Sequence, residues 1–456
     1  MDDGQRGCDQ FNPTAVMDND GTVYAAWQEC RNGDGDIYFA HSTNTSQLAA
    51  DTPVTVTWST PVRVNDDVGH TWQYDPAMAL GQDGPLYLVW GDWRQDGRSI
   101  FFARSTDGGA TWSQNRNVTS GWGYRYDPAI AIDGSGRLYV TWCEYGEASD
   151  IFVSTSSDDG DTWSDPVRVT DDTTTNAYQY HPTIATLAAG NAVVAWVDGR
   201  DNTFHIYAAA TSDGGVTWSP NRRVDDKAST NGTYAPTIAT TPNGHVHIAW
   251  YDYRNGNADI YAASSNDAGL TWSTNVRVDD DLAISRQDSP LLLATTDGTL
   301  WSIWRDWRAS EHIRMAASSD DGATWTSSTQ VDDSTGDTDM ASPILSGHSD
   351  NALVALWLDF RDGNYDLRAA SSADAGSTWS SSSQVNQDDI GRAQQYNVRL
   401  AVGDHGNALA AWRDYQGYSG SRLYAAFRPV TGTWGSNIRI DATNDSQYSP
   451  DLLTDG

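Results

Sequence analysis

The chain predicts an all-β fold, a β-propeller of four-stranded antiparallel blades, and three observations carry that expectation. The first is a repeat: Ser-x-Asp-x-Gly-x-Thr-Trp runs from Ser105 to Trp112 and recurs ending at Trp163, Trp218 (with Thr211 in place of Ser), Trp272, Trp325 and Trp379. Degenerate copies end at Trp58 and Trp434, so successive tryptophans stand 51 to 55 residues apart. The second is that each interval reads as short strands with no helical periodicity. The third is that one supersecondary unit used eight times cannot bury its faces alone and must close radially with its neighbours. Eight blades follow, with seven, nine or part of a longer array as the alternatives.

Within one unit the elements follow in order. Tyr126-Asp127-Pro128 opens strand a, which alternates through Ile130 and Ile132 and stops at the turn Asp133-Gly134-Ser135-Gly136. Leu138 to Trp142 makes strand b, Asp150 to Thr155 strand c, and Trp163 to Val169 strand d, with the signature as the c–d turn. In that turn the Asp accepts backbone N–H groups, the Gly supplies positive φ, and the Trp packs beneath the hairpin. Asp107, Asp158, Asp213, Asp267, Asp320 and Asp374 are therefore structural, and the signature tryptophans are expected to start strand d and to be largely buried. The blades fall at about 8–67, 68–119, 120–172, 173–226, 227–280, 281–333, 334–389 and 390–445, and Gln447 to Leu453 reads as a supernumerary strand a within 446–456.

A formal net charge of -33 excludes nucleic acid and anionic lipid as natural partners. Of the 61 acidic residues only Glu29, Glu144, Glu147 and Glu311 are glutamates, and Lys227 is the lone lysine. So Asp-rich a surface suits salty surroundings and turn chemistry, and it leaves Ca²⁺, a hard cation wanting oxygen ligands, as a candidate. No other cofactor is required. No apolar run is long enough to span a bilayer. Met1-Asp2-Asp3-Gly4 carries no leader pattern, and a leader is expected to have been removed. Cys8 and Cys30 fall in the first unit where the repeat can bring them together as a disulfide, and Cys143, at the end of a strand b, is expected to stay a free thiol.

In a meander the b–c and d–a loops share one face of the disc. The b–c loops repeat Trp-x-Asp-x-Arg, as in Trp90-Gly91-Asp92-Trp93-Arg94, Trp250-Tyr251-Asp252-Tyr253-Arg254 and Trp304-Arg305-Asp306-Trp307-Arg308, and the d–a loops carry acidic pairs such as Asp66-Asp67 and Asp279-Asp280. Such groups could form inter-blade salt bridges. They could equally make sugar-stacking platforms, so Trp93, Arg94, Tyr253, Arg254, Trp307 and Arg308 are candidate ligand-binding residues. Units three and eight, with Gly146 and Gln416, lack the loop Arg, and unit three departs further: it gains Glu144 and Glu147 and is preceded by Trp122, Tyr124, Arg125 and Tyr126. Trp122, Tyr124, Arg125, Glu144 and Tyr145 are the best candidate pocket.

The six signatures resemble the Asp-boxes, or BNR repeats, of the sialidase-like superfamily, and the repeats cover nearly the whole chain. That resemblance implies a secreted or cell-surface propeller acting on or binding glycans. Sialidases of that family also carry an early Arg-Ile-Pro element, where this chain has Phe11-Asn12-Pro13-Thr14, and six blades. No catalytic residue transfers by motif. The expected function is a non-catalytic module that binds glycans or another surface ligand within a larger extracellular protein. The alternatives are a sialidase-like glycoside hydrolase or polysaccharide lyase, and a structural or assembly module.

Overall fold

The computed structural model describes residues 10–441 apart from 19, 31–33, 44–56, 96, 147, 175–176, 228–230, 337, 348–351, 388–393, 403–406, 416–420 and 430–431. The expected extra strand, Glu147 and Cys8 lie outside the described residues. The fold is an eight-bladed propeller of four-stranded antiparallel sheets, as the repeat predicts. Blade 3 shows the plan: strand a Tyr124–Ile132, b Leu138–Tyr145, c Ser149–Ser156 and d Val167–Arg168, hydrogen-bonded in that order from the axis outward.

Strand d departs from expectation. Its ladder spans only two residues per blade, and in the six full signatures the Trp lies four residues before it. The ring turns toward the preceding blade instead of entering the ladder. Trp112 meets Phe39 edge to face at 5.1 Å, and Trp163 meets Phe102 in the same way at 5.1 Å. These rings are half-buried, which corrects the expectation that they would be largely buried. The fully buried set is the strand-b series Trp27, Trp90, Trp142, Trp196, Trp250, Trp304, Trp357 and Trp412.

Burial is organised between blades. Each hydrophobic cluster joins one blade to the next, and the cluster of Val23, Trp27 and Tyr38 with Leu409, Leu423 and Phe427 joins blade 8 back to blade 1. Closure is reinforced by the Gln10 backbone N–H, which donates to Ser421 Oγ at 2.9 Å. The Asp-box turn belongs to the same seams. Asp107 accepts the Thr111 N–H at 2.9 Å and the Thr111 hydroxyl at 2.6 Å, which holds the Asp107 carboxyl down at about 2.

Strand a has one irregularity in every blade, and it matters for the site. The register slips beside a non-glycine residue in the left-handed region, usually followed by Pro: Asn12, Asp75, Asp127, His181, Ala235, Ser289, Ser342 and Asn397, with φ between 44° and 53°. These are β-bulges, and proline is tolerated there because no ladder N–H is needed. Neighbours around the axis touch: Asn12 Nδ2 donates to Asp75 Oδ1 at 2.6 Å, and His181 Nδ1 lies 3.3 Å from Asp127 Oδ2.

Candidate functional site

Most of the loop arginines are committed to holding blades together. Arg254 forks to its own-blade Asp252 at 2.7 Å, to Asp226 of the preceding d–a loop at 2.8 Å and to Asn275 at 2.8 Å, while the Asn275 N–H donates to Asp226 at 3.0 Å. The same clamp recurs as Arg94 with Asp66, Arg200 with Asp171, Arg308 with Asp280 and Arg361 with Asp333. The buried acid of each loop also accepts the indole N–H of the strand-b Trp, as Asp252 does from Trp250. This planar fork explains why the repeat keeps Arg and not Lys.

Blade 3 makes the clamp with exchanged parts. Ser120 stands where Asp66 does in blade 1, and Gly146 stands where Arg94 does in blade 2. The guanidinium comes from strand a instead: Arg125, 2% exposed, donates to Glu144 Oε2 at 2.8 Å and to the Ser120 carbonyl at 2.8 Å. Glu144 also accepts from Trp142 Nε1 at 3.4 Å. A Cβ on Gly123 would come within 2.9 Å of both Glu144 Oε1 and the Arg125 guanidinium, so this swap requires glycine there.

Releasing the loop from its arginine leaves an open cleft of about 480 Å³, lined by Tyr124, Tyr126, Asp127 and Tyr145. The aromatic walls brace one another: Trp122 on Tyr124 at 5.1 Å, Trp93 on Tyr124 at 5.7 Å and Tyr126 on Tyr145 at 5.0 Å, all edge to face. Trp122 is 64% exposed, and Tyr124 and Tyr145 are each more than a third exposed. The long b–c hairpin of blade 2 supports this wall, because the Arg98 N–H donates to the Gly123 carbonyl and fuses blades 2 and 3 along that edge.

The polar floor comes from the bulges. Arg98 is buried between Tyr74 and Tyr126, its guanidinium carbon 3.2 and 4.0 Å from their ring centroids, and donates to Asp75 at 2.6 Å. Burial lowers its pKa to about 9, so it stays charged at neutral pH. Burial, and then the nearby Asp127 charge, raise the Asp75 carboxyl, while the hydrogen bond with His181 holds Asp127 down and raises His181 in turn. Two neighbouring carboxyls are thus pushed apart in acidity.

Of the sequence candidates, Trp93, Trp122, Tyr124 and Tyr145 come together in the cleft, and Arg125 and Glu144 pair beside it. Arg94, Arg254 and Arg308 are clamp residues. Tyr253 packs on Tyr234 and Tyr251 in blade 5, and Trp307 lies over Arg286 and Arg305 in blade 6, apart from the cleft. Asp75, Asp127, His181 and Arg98 were not singled out from the sequence. Their signal is the variable middle residue of Tyr-x-Pro, acidic only in two adjacent units, and an Arg at the start of strand c where the other units have Gly35, Ser149, Phe204, Ala258, Glu311, Tyr365 and Ser421. Cys30 is disulfide-bonded and Cys143 is a buried free thiol. Among the described residues no three His, Cys, Asp or Glu side chains converge as a metal site, and no helix is long and apolar enough to cross a membrane.

Comparison with known proteins agrees with this architecture. Residues 128–289 match the BNR repeat-like domain. A sialidase of Clostridium perfringens is 26% identical over 234 residues, 43% of this chain and 59% of the sialidase, so the match spans less than two thirds of that protein. The solved structure of an ulvan lyase, a polysaccharide lyase, overlays 92% of this chain and 94% of its own with a TM-score of 0.51 at 15% identity. An α-L-arabinanase of Penicillium chrysogenum overlays 62% of this chain and 88% of its own with a TM-score of 0.42 at 19% identity. With the repeated turns and the closed ring, the chain is a β-propeller with Asp-box turns, similar over residues 128–289 to the BNR repeat-like domain and over 43% of its length to the clostridial sialidase.

Proposed function

We propose that the protein is a secreted or cell-surface module that binds glycan in the aromatic cleft beside the axis, over blades 2 to 4. The observation that carries this reading is asymmetry. Blades 3 and 8 lack the loop arginine, and in blade 3 the exposed rings of Trp122, Tyr124 and Tyr145 border a cleft floored by charged and hydrogen-bonding groups. Exposed rings offer flat apolar faces to pyranose C–H groups, and Asp127, His181 and Arg98 can orient hydroxyls or an anionic substituent. The ulvan lyase neighbour, whose ring is built alike, has been seen bound to -[GlcA(1-4)Rha3S]-. The disulfide at Cys30 accords with an oxidising compartment.

A glycan array tests the proposal, with Tyr145→Ala expected to lose at least tenfold in affinity while the melting temperature holds. Binding in EDTA should equal binding in Ca²⁺. A second reading, hydrolysis or elimination, is favoured by the opposite shifts of Asp75 and Asp127, since an acid and a base at one site need such a split. Release of sugar or of an unsaturated product that disappears in Asp127→Asn would establish it. Binding without turnover, lost in Tyr145→Ala, would establish the module.

A further inference from the structure

The b–c loop of blade 6 carries a second constellation, independent of the glycan cleft. His312, 8% exposed, opens strand c of that blade, and both ring nitrogens are engaged. Nδ1 lies 3.1 Å from Asp332 Oδ1, and Nε2 lies 2.8 Å from Ser310 Oγ. Asp332 is locked in place, accepting the backbone N–H groups of Ile313 at 2.9 Å and Ser334 at 2.9 Å. A carboxylate so held assigns the ring proton to Nδ1 and leaves the Nε2 lone pair facing the serine hydroxyl. Ser310 is half-buried at the loop surface.

Blade 4 supplies an internal comparison. His205 Nδ1 lies 2.9 Å from Asp225, the counterpart of Asp332, yet Thr203 occupies the place of Ser310 and is not hydrogen-bonded to the ring. The His–Asp pair is therefore shared architecture. The hydroxyl on the outer nitrogen is what blade 6 adds.

We propose that Ser310, His312 and Asp332 act as nucleophile, general base and orienting carboxylate for hydrolysis of short acyl esters. Ser310 Oγ bonds to the ester carbonyl carbon as its proton passes to His312 Nε2. The carbonyl carbon's bond to the alcohol oxygen breaks, and the alcohol leaves with that proton. Water, giving a proton to the same nitrogen, then cleaves the acyl-serine, and the carboxylic acid departs as Ser310 recovers its proton. Beside the serine stands the Arg305–Glu311 ion pair at 2.8 Å, a polar border that suits an acetyl ester of a sugar hydroxyl better than a fatty acyl chain.

The test treats the full chain with an alkyl fluorophosphonate and maps the adduct by peptide mass spectrometry, with 4-nitrophenyl acetate turnover measured in parallel. A single adduct on Ser310, absent in Ser310→Ala and formed at least tenfold more slowly in His312→Asn, is expected. Ester turnover should fall at least tenfold in Ser310→Ala. Asp332→Asn should slow both reactions, but it removes a buried partner of two backbone N–H groups. Ser310→Ala keeps the test decisive, because it leaves the His–Asp pair as it already stands in blade 4. An unlabelled Ser310, or ester turnover unchanged in Ser310→Ala, would overturn the proposal.

Discussion

Two adjacent glycines in the first full Asp-box offer a sharp test of how the box is used. Gly109 has φ +89°, and a Cβ built there would come 1.9 Å from Phe39 Cε1 and 2.3 Å from Cζ. Phe39 cannot retreat: it is 1% exposed in the seam between blades 1 and 2 and is pinned edge to face by Trp112. Gly108 has φ +70° and nothing within 4 Å of its Cβ position, and Ala268 and Ala375 occupy the same box position in blades 5 and 7 at φ 59° and 54°. Gly108→Ala should therefore cost only the left-handed backbone term, about 1–2 kcal/mol. Gly109→Ala adds overpacking of about 1–3 kcal/mol, for a total of about 2–5 kcal/mol. Urea denaturation followed by tryptophan fluorescence, analysed where the transition is a single step, reads both. Equal losses in the two variants would refute the claim that the box glycine serves the inter-blade contact and not merely the turn.

Arg254→Ala should destabilise by about 3–5 kcal/mol, since it strands the fully buried Asp252, and Arg254→Lys should recover little because an ammonium cannot make the fork; thermal denaturation distinguishes these. His247 is buried between Thr241 and Ser264, and burial holds its pKa down at about 4. Below pH 6.5 the unfolded chain takes up a proton that the folded one refuses, so stability should fall by about 3 kcal/mol as pH drops toward 4, and His247→Gln should flatten that slope. His181 should titrate above its ordinary value by NMR and return toward it in Asp127→Asn. The stability of that ion pair should be lost as pH rises through the His181 pKa, and lost on the acid side as Asp127 protonates.

The ring and its blade count were legible because the Asp-box is local chemistry: Ser105, Asp107, Gly109 and Thr111 bond within one turn, and the spacing between turns measures one blade. Strand d was overextended because Trp163 looks like a β-former, whereas its ring serves a seam with Phe102, a residue 61 positions earlier in the chain. The cleft was half legible. Trp122, Tyr124 and Tyr145 stand out as departures within one unit, but Asp75, Arg98, Asp127 and His181 come from three successive units and meet because strands a of neighbouring blades converge on the axis and strand c of blade 2 reaches strand a of blade 3. Arg125 and Glu144 drew notice for being unusual, and the structure explains the oddity as a relocated clamp.

The left-handed bulge of strand a separates scaffold from inscription. Its backbone is fixed by the register slip and, in seven blades, by the following proline, while the side chain is free to differ: Asn, Asp, Asp, His, Ala, Ser, Ser and Asn in circular order. Glycine would relieve about 1–2 kcal/mol of strain at each position, yet none of the eight is glycine. The circle therefore works as a set of eight sockets, each holding one interchangeable group at a defined height and angle about the axis. Charge or hydrogen-bonding capacity can be rewritten there one blade at a time, with Ala235, Ser289 and Ser342 as the blank positions where an aspartate or histidine could be installed without altering the sheet that carries it.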